Sequence, residues 1–197
     1  DEAAELAYFG AKILHPATII PAQKANIPVK LLNTMAPEAG GTTISSEIFD
    51  FGKIKAVAAK DGITAIKIKS SRMLLAYGFL TKVFGIFEKY RTPIDMITTS
   101  EIAISLTIDS DAHLNEIVQE LEAFASIEID KGQTIVCVAG QGIAEIKGPG
   151  LAIFESLKDI SIRMVSYGGS KNNISVLIAS DKKLEALQAL NSGLFKF

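Results

Sequence analysis

Hydrophobic and polar positions change their period along this chain, and each change marks an element. EAAELAYFGAKIL reads as a helix that stops near His15-Pro16, a further turn runs through ATIIPAQKAN, and a short apolar strand covers 29–32. Pro16 and Asn26 are the punctuation expected at such ends. A loop rich in Gly and Thr, PEAGGTTI, follows. Residues 1–48 thus supply helices and one strand but too little surface to close a core alone. They are expected to be the end of a larger domain, and the opening DEAAELAYFG, with neither an initiator Met nor a signal-peptide pattern, looks like a cut.

From residue 52 the period shortens to two. KIKAVAA (53–59) and ITAIKIK (63–69) read as strands, the second alternating with one slip. In GFLTKVFGIFEKY, residues Leu80, Val83, Phe84, Phe87 and Tyr90 share a helical face. TPIDMITTS and EIAISLTID make two strands. AHLNEIVQELEAF is a helix capped by Ser110 or Asp111, and SIEID a strand. The order strand, helix, strand, strand, helix, strand then recurs in QTIVCVAG, GPGLAIFESLKD, SIRMVSYG, NNISVLIAS and DKKLEALQALNS. Gly78 corresponds to Gly148, Phe87 to Leu157, Met96 to Met164 and Ser105 to Ser175. The second copy lacks its sixth strand, and residues 53–59 are surplus in the first. The expected fold is therefore α+β, two copies of one unit, with the first (62–131) inserted in the second (52–60 plus 132–197). Exchange of that strand between two chains would satisfy the same pattern.

Composition narrows the partners. Of 197 residues 48% are hydrophobic, and 20 Lys plus Arg stand against 22 Asp plus Glu, a net charge of -2. No basic footprint for nucleic acid or an anionic membrane results. A single cysteine and the absence of a long apolar run point to the cytosol, without a membrane span.

Enzymatic constellations are scarce. There is no Walker loop, and the glycines at 140 and 142 fail the dinucleotide fingerprint because Glu145 stands at the third glycine position. His15, His113 and Cys137 are too few and too dispersed for a zinc site, so metal ligands are not expected. Cys137 reads as a small core residue. Glu116, Glu120 and Glu122 read as a solvated helix side. The informative stretch is SRMLLAYGFL with PIDMITTSE. A glycine before a helix lets backbone approach a ligand, and the N–H groups of Gly78, Phe79 and Leu80 suit a carboxylate. Asp95 suits an ammonium. Together these meet the two needs of an amino-acid ligand, an anion site and a cation site a few ångströms apart. The bland alternative makes Gly78 a turn, Asp95 an exposed strand charge, and Met73, Phe79 and Ile94 core. In the second copy Arg163 replaces Asp95 and Pro149 removes an N–H, so the pattern is lost there.

The repeated unit, with its glycine before the helix, resembles the ACT domain, a ferredoxin-like (βαββαβ) small-molecule-binding module. More specifically, EAAELAYFGAKILHPATIIPAQKANIPV, the GGT loop, RMLLAYGFLTKVFGIFEKYRTPIDMITTSE, SYGGSKNNISVLI and LNSGLF resemble the C-terminal part of an aspartokinase of the monofunctional, lysine-sensitive class. The resemblance covers essentially the whole chain. It implies an enzyme that phosphorylates L-aspartate with ATP and Mg, feeding lysine, threonine and methionine synthesis. Residues 1–48 would then be the end of its amino-acid-kinase α/β domain. This stretch would hold no cofactor and would be inactive as a kinase, since the phosphate-binding and aspartate-binding segments have no counterpart. Lys12 and Ile13 match a nucleotide-site pair.

The resemblance further implies an effector, L-lysine, bound between the first modules of a homodimer, which could assemble into a tetramer. The matching positions are Met73, Gly78, Phe79, Leu80, Ile94, Asp95, Thr99, Ser100 and Glu101. The family pattern has His at the position of Leu75 and Ser at Ala76 and Pro93, leaving recognition to backbone N–H groups, Asp95 and Glu101. Threonine or methionine as effector, a freestanding sensor, and a ligand-free interaction module are the remaining expectations.

Overall fold

The computed structural model describes residues 16–46, 50–70 and 77–195. The expected first helix, Lys12, Ile13, Met73, Leu75 and Ala76 lie outside these residues. Helix α1 (Pro16–Lys24) is followed by Asn26 at φ 53°, a left-handed stop that Asn tolerates. A small antiparallel ribbon then pairs β1 (Val29–Leu31) with β2 (Thr42–Ile44).

The remaining elements build one six-stranded antiparallel sheet. They are β3 (Ala56–Lys69), α2 (Phe79–Lys89), β4 (Ile97–Thr99), β5 (Ala103–Ile108), α3 (Leu114–Glu122), β6 (Ser126–Ala139), α4 (Pro149–Ser156), β7 (Met164–Tyr167), β8 (Asn173–Ala179) and α5 (Lys183–Leu194). The strand order is β4-β5-β3-β6-β8-β7. Two expected strand pairs are each one strand: 53–59 and 63–69 fuse into β3, and SIEID and QTIVCVAG fuse into β6. Each of these 14-residue strands serves both units. Residues 64–69 pair with β5 and 63–69 with 126–133, whereas 56–60 pair with 135–139, and 133–139 also pair with β8. The surplus strand thus completes the second unit within the same chain, and the first unit is inserted in the second.

The two units meet at a waist. The β3–β6 register shifts between Lys60 and Ala65, beside Gly62 at φ 75°, and Gly132 sits at φ 67°. Glycine reaches this conformation without a Cβ penalty, so a bulge can form and bend the ribbon.

Three apolar clusters follow the alternation of the strands. Ile66, Ile68, Ile104 and Leu106 meet Val83, Phe87, Ile117 and Leu121 from α2 and α3. Val136, Val138, Ile174 and Val176 meet Ile153, Leu157, Ala186 and Leu190 from α4 and α5. The residues of opposite parity, Ile63, Ala65, Ile135, Cys137, Ala139 and Leu177, join Met96 and Met164 in a third cluster at the waist. The slip in the 63–69 alternation has its reason here. Residues 63–66 are all buried, because both faces of β3 are covered at that level. Each such aliphatic side chain contributes about 1.5–3 kcal/mol on burial.

Helix α3 starts later than its pattern suggested, and neither Ser110 nor Asp111 caps it through a side chain. Asp111 instead accepts hydrogen bonds from Thr64 (2.8 Å) and Lys131 (2.8 Å), tying the helix start to the waist. The Lys131 hydrogen bond, helped by that of Thr64, holds the Asp111 carboxyl below its ordinary value.

Candidate functional site

Gly78 precedes α2 at φ 79° and ψ 3°, with open space where a Cβ would project. The first intrahelical bond is Lys82 N–H to the Gly78 carbonyl at 3.0 Å, so the N–H groups of 78–81 have no acceptor within the helix. Phe79 is half-buried with its ring edge-on to Phe124 at 5.7 Å, and Leu80 is partly exposed. Phe124 shares this level with Ser70, whose hydroxyl donates to its carbonyl, and with the Lys69–Ser126 pair. Thr99, Ser100 and Glu101 are exposed and belong here too. They form the β4–β5 turn, closed by Ser100 N–H to the Ala103 carbonyl (2.8 Å), and Ala103 pairs with Lys69. We call this end of the first unit the tip.

Asp95 is at the other end. Its N–H donates to the Thr107 carbonyl (2.9 Å), while Thr64 pairs with Ile108 close to the waist. The C-terminus of α2 lies at this level, where the Tyr90 ring is 5.8 Å from that of His113. Ile94 packs against the first core beside it. Gly78 and Asp95 in one chain are therefore separated by the length of α2, eleven residues or about 16 Å. The structure sets Gly78, Phe79 and Leu80 at the same end of the unit as Thr99–Glu101, and Ile94 beside Asp95 at the other end. The two groups are not a few ångströms apart in one chain, which corrects the simplest sequence expectation.

Asp95 is not an exposed strand charge. Its side chain is 1% exposed, and Oδ1 accepts a hydrogen bond from Lys60 Nζ at 2.9 Å. The same ammonium lies 2.9 Å from Asp109 Oδ2. Sequence reasoning missed Lys60, which precedes the waist glycine on β3.

The internal repeat explains what replaces it in the second unit. The strand registers relate Lys60 to Asp130, Gly62 to Gly132 and Thr64 to Thr134, as β3 and β6 exchange roles. Arg163, the counterpart of Asp95, donates its N–H to the Leu177 carbonyl at 2.8 Å, just as Asp95 does to Thr107. Its guanidinium pairs with Asp130. The ion pair is thus conserved in place with its signs reversed: acid on the loop and base on the ribbon in the first unit, base on the loop and acid on the ribbon in the second. The ribbon counterparts Asp61 and Lys131 are likewise of opposite sign, Asp61 pairing with Lys183 and Lys131 with Asp111.

At α2, Lys89 and Tyr90 both donate to Glu120 (2.5 Å each), and the Lys89 bond holds that carboxyl below its usual value. Lys82 lies over the Phe124 ring at 3.9 Å. These contacts join α2 to α3 and to the segment that follows it. Among the described residues no helix is long and apolar enough to cross a membrane.

Two ferredoxin-like units sharing a ribbon, the first with a glycine opening its leading helix, define a regulatory region of the ACT type, and residues 136–194 match the ACT domain family. The chain is 36% identical over 99% of its length to the lysine-sensitive aspartokinase 3 of Escherichia coli, of which it covers 45%. The Escherichia coli aspartokinase III structure in complex with lysine and aspartate superposes with a TM-score of 0.86 at 36% identity, covering 99% of this chain and 45% of that one. A regulatory domain assigned to the C-terminus of aspartate kinase from Porphyromonas gingivalis is 48% identical, with a TM-score of 0.65, covering 73% of this chain and 99% of that one. The chain belongs to the aspartokinase family, within which it corresponds to the C-terminal regulatory region. It spans less than half the length of the full curated relatives it matches.

Proposed function

We propose that this region binds free L-lysine between the first units of two chains and thereby lowers the activity of an aspartokinase of which it is part. That enzyme would transfer phosphate from ATP, as its Mg complex, to the side-chain carboxylate of L-aspartate in the cytoplasm. Residues 1–48 would close its catalytic domain, with Lys12 and Ile13 near the nucleotide. Residues 62–131 and 52–60 plus 132–197 would be the two regulatory units.

The observation that carries the reading is the split of the site. The tip offers N–H donors for a carboxylate, and the waist end offers the Asp95 carboxylate for an ammonium, about one helix length apart. A two-fold axis beside β4 and α2 brings the tip of one chain against the waist end of its partner. Strand β4 is suited to that axis. It ends the sheet, and Ile97, Ile102 and Leu80 near it are exposed apolar residues that pairing would cover. The lysine bound by the Escherichia coli enzyme is consistent with the same use of this region. Such a ligand shifts the enzyme between states only by its differential affinity for them, usually worth about 1–3 kcal/mol.

Calorimetric titration with L-lysine, with L-threonine, L-methionine and L-aspartate in parallel and the mass in solution measured, tests the proposal. Saturable lysine binding near one per chain in a dimer is expected. Binding of threonine or methionine alone would keep the site and change the effector, and heat from none of the four would overturn the reading.

A further inference from the structure

The Asp95 carboxylate already holds an ammonium from its own chain. Lys60 comes from β3 at the waist and places Nζ 2.9 Å from Asp95 Oδ1 and 2.9 Å from Asp109 Oδ2. The two carboxylates are unlike. The Asp95 side chain is 1% exposed, whereas that of Asp109 is 38% exposed. A carboxylate as enclosed as that of Asp95 gains more from a neighbouring cation than an exposed one does, because an uncompensated buried charge is costly. Asp109 reaches solvent and has no such need.

We infer that Lys60 is a specificity-determining residue of the effector site: it holds the place of the ligand's ammonium on Asp95, and a ligand is accepted only if its own ammonium replaces Lys60 there while Lys60 withdraws to Asp109. This rests on the reading that Asp95 belongs to the effector site. The exchange leaves every charge compensated. Asp95 trades one ammonium for another, and Lys60, on a flexible four-carbon stem, keeps a carboxylate partner nearer water. A ligand that brings only a carboxylate cannot dislodge Lys60. The second unit offers no comparable exchange, because its loop position carries the Arg163 guanidinium and its acid, Asp130, is on the ribbon.

Titration of the full chain with L-lysine, comparing wild type, Lys60→Met and Lys60→Arg, tests the inference by the sign of two effects. Methionine keeps the length of the stem and removes the competitor, so binding should tighten about tenfold, the scale of one charge-assisted hydrogen bond. Arginine presents a planar fork able to hold both carboxylates at once, so binding should weaken about tenfold. A merely structural Lys60 would make Lys60→Met the damaging change and Lys60→Arg the tolerated one. If wild type binds lysine and the two variants follow that second order, or match wild type, the inference is wrong and the site stands. Should Lys60→Met fail to fold, Lys60→Arg binding as tightly as wild type is enough to overturn it. No lysine binding by wild type would remove both the inference and the effector reading.

Discussion

The two units are built on one plan and differ in what they do with a waist-end ion pair. In the first, the acid is enclosed at 1% exposure and its cation is a flexible lysine. In the second, the cation is Arg163 and the acid Asp130, with side chains 46% and 40% exposed. The sheets differ in parallel. All residues of 134–139 and 173–178 are buried, so the second unit's sheet is covered on both faces. Away from the waist the first unit's helix-free face carries Lys67, Lys69 and Glu128, which pair with one another near solvent. The shared plan thus gives one unit with open surface and an enclosed acid held by a lysine, and one whose central strands are packed on both sides.

The comparison implies cooperation in folding, because β3, β6 and the waist cluster belong to both units. Phe87→Ala in the first core should cost about 3–5 kcal/mol and its counterpart Leu157→Ala in the second about 2–5 kcal/mol. Both should shift one common transition in chemical denaturation. Two separated transitions, each moved by one variant only, would mean that the shared ribbon does not couple the units.

Exchanging the signs of the ion pair sharpens the contrast. Asp95→Arg alone sets two cations in an enclosed place and should cost about 3–5 kcal/mol. Adding Lys60→Asp copies the second unit's arrangement and should recover most of that loss, while lysine binding stays abolished. Arg163→Asp, at an exposed pair, should cost only about 1 kcal/mol or less. Thermal melts of the three variants check the order, and equal losses at the two sites would show that enclosure is not what distinguishes them.

Much of this was legible in the sequence. The repeat, the inserted order and the helix faces follow from period and spacing, because one-sided burial writes them directly into residue types. The fusion of four expected strands into two was not legible. Asp61-Gly62 and Lys131-Gly132 fall between the expected strands, and whether such a dipeptide reverses or merely bends a strand depends on what the flanking segments pair with. Asp95 was singled out as a partner for an ammonium, and its contrast with Arg163 was noted, but the partners Lys60 and Asp130 precede the waist glycines by two residues and have no local signature. That Gly78 and Asp95 stand at opposite ends of α2 follows from chain order alone, because the helix read in GFLTKVFGIFEKY lies between them.

The smallest expected effect concerns acid. Hydrogen bonds from Lys183 to Asp61 and from Lys131 to Asp111, supported by Thr134 and Thr64, hold both carboxyls below the usual aspartate value. A depressed carboxyl favours the folded state above the unfolded pKa of about 4, and that contribution fades as pH falls through the folded value. Stability should therefore decline below about pH 4, and Asp61→Asn with Asp111→Asn should flatten the decline. Because both pairs are substantially exposed, added salt should shrink the difference. An unchanged pH profile in the double variant would assign the acid sensitivity elsewhere.

The central claim, a lysine site divided between the tip of one chain and the waist end of another, is tested most directly by complementation. Leu80→Pro removes a first-turn N–H at a partly exposed position where proline is tolerated, and Asp95→Ala removes the acid. Each variant alone should bind no lysine. After mixing in equal amounts and exchange of subunits, half the dimers would be mixed and each would contain one intact site, so calorimetry should recover about one quarter of the wild-type stoichiometry. No recovery from variants that are folded and exchange chains would place both halves of the site in a single chain and contradict the account.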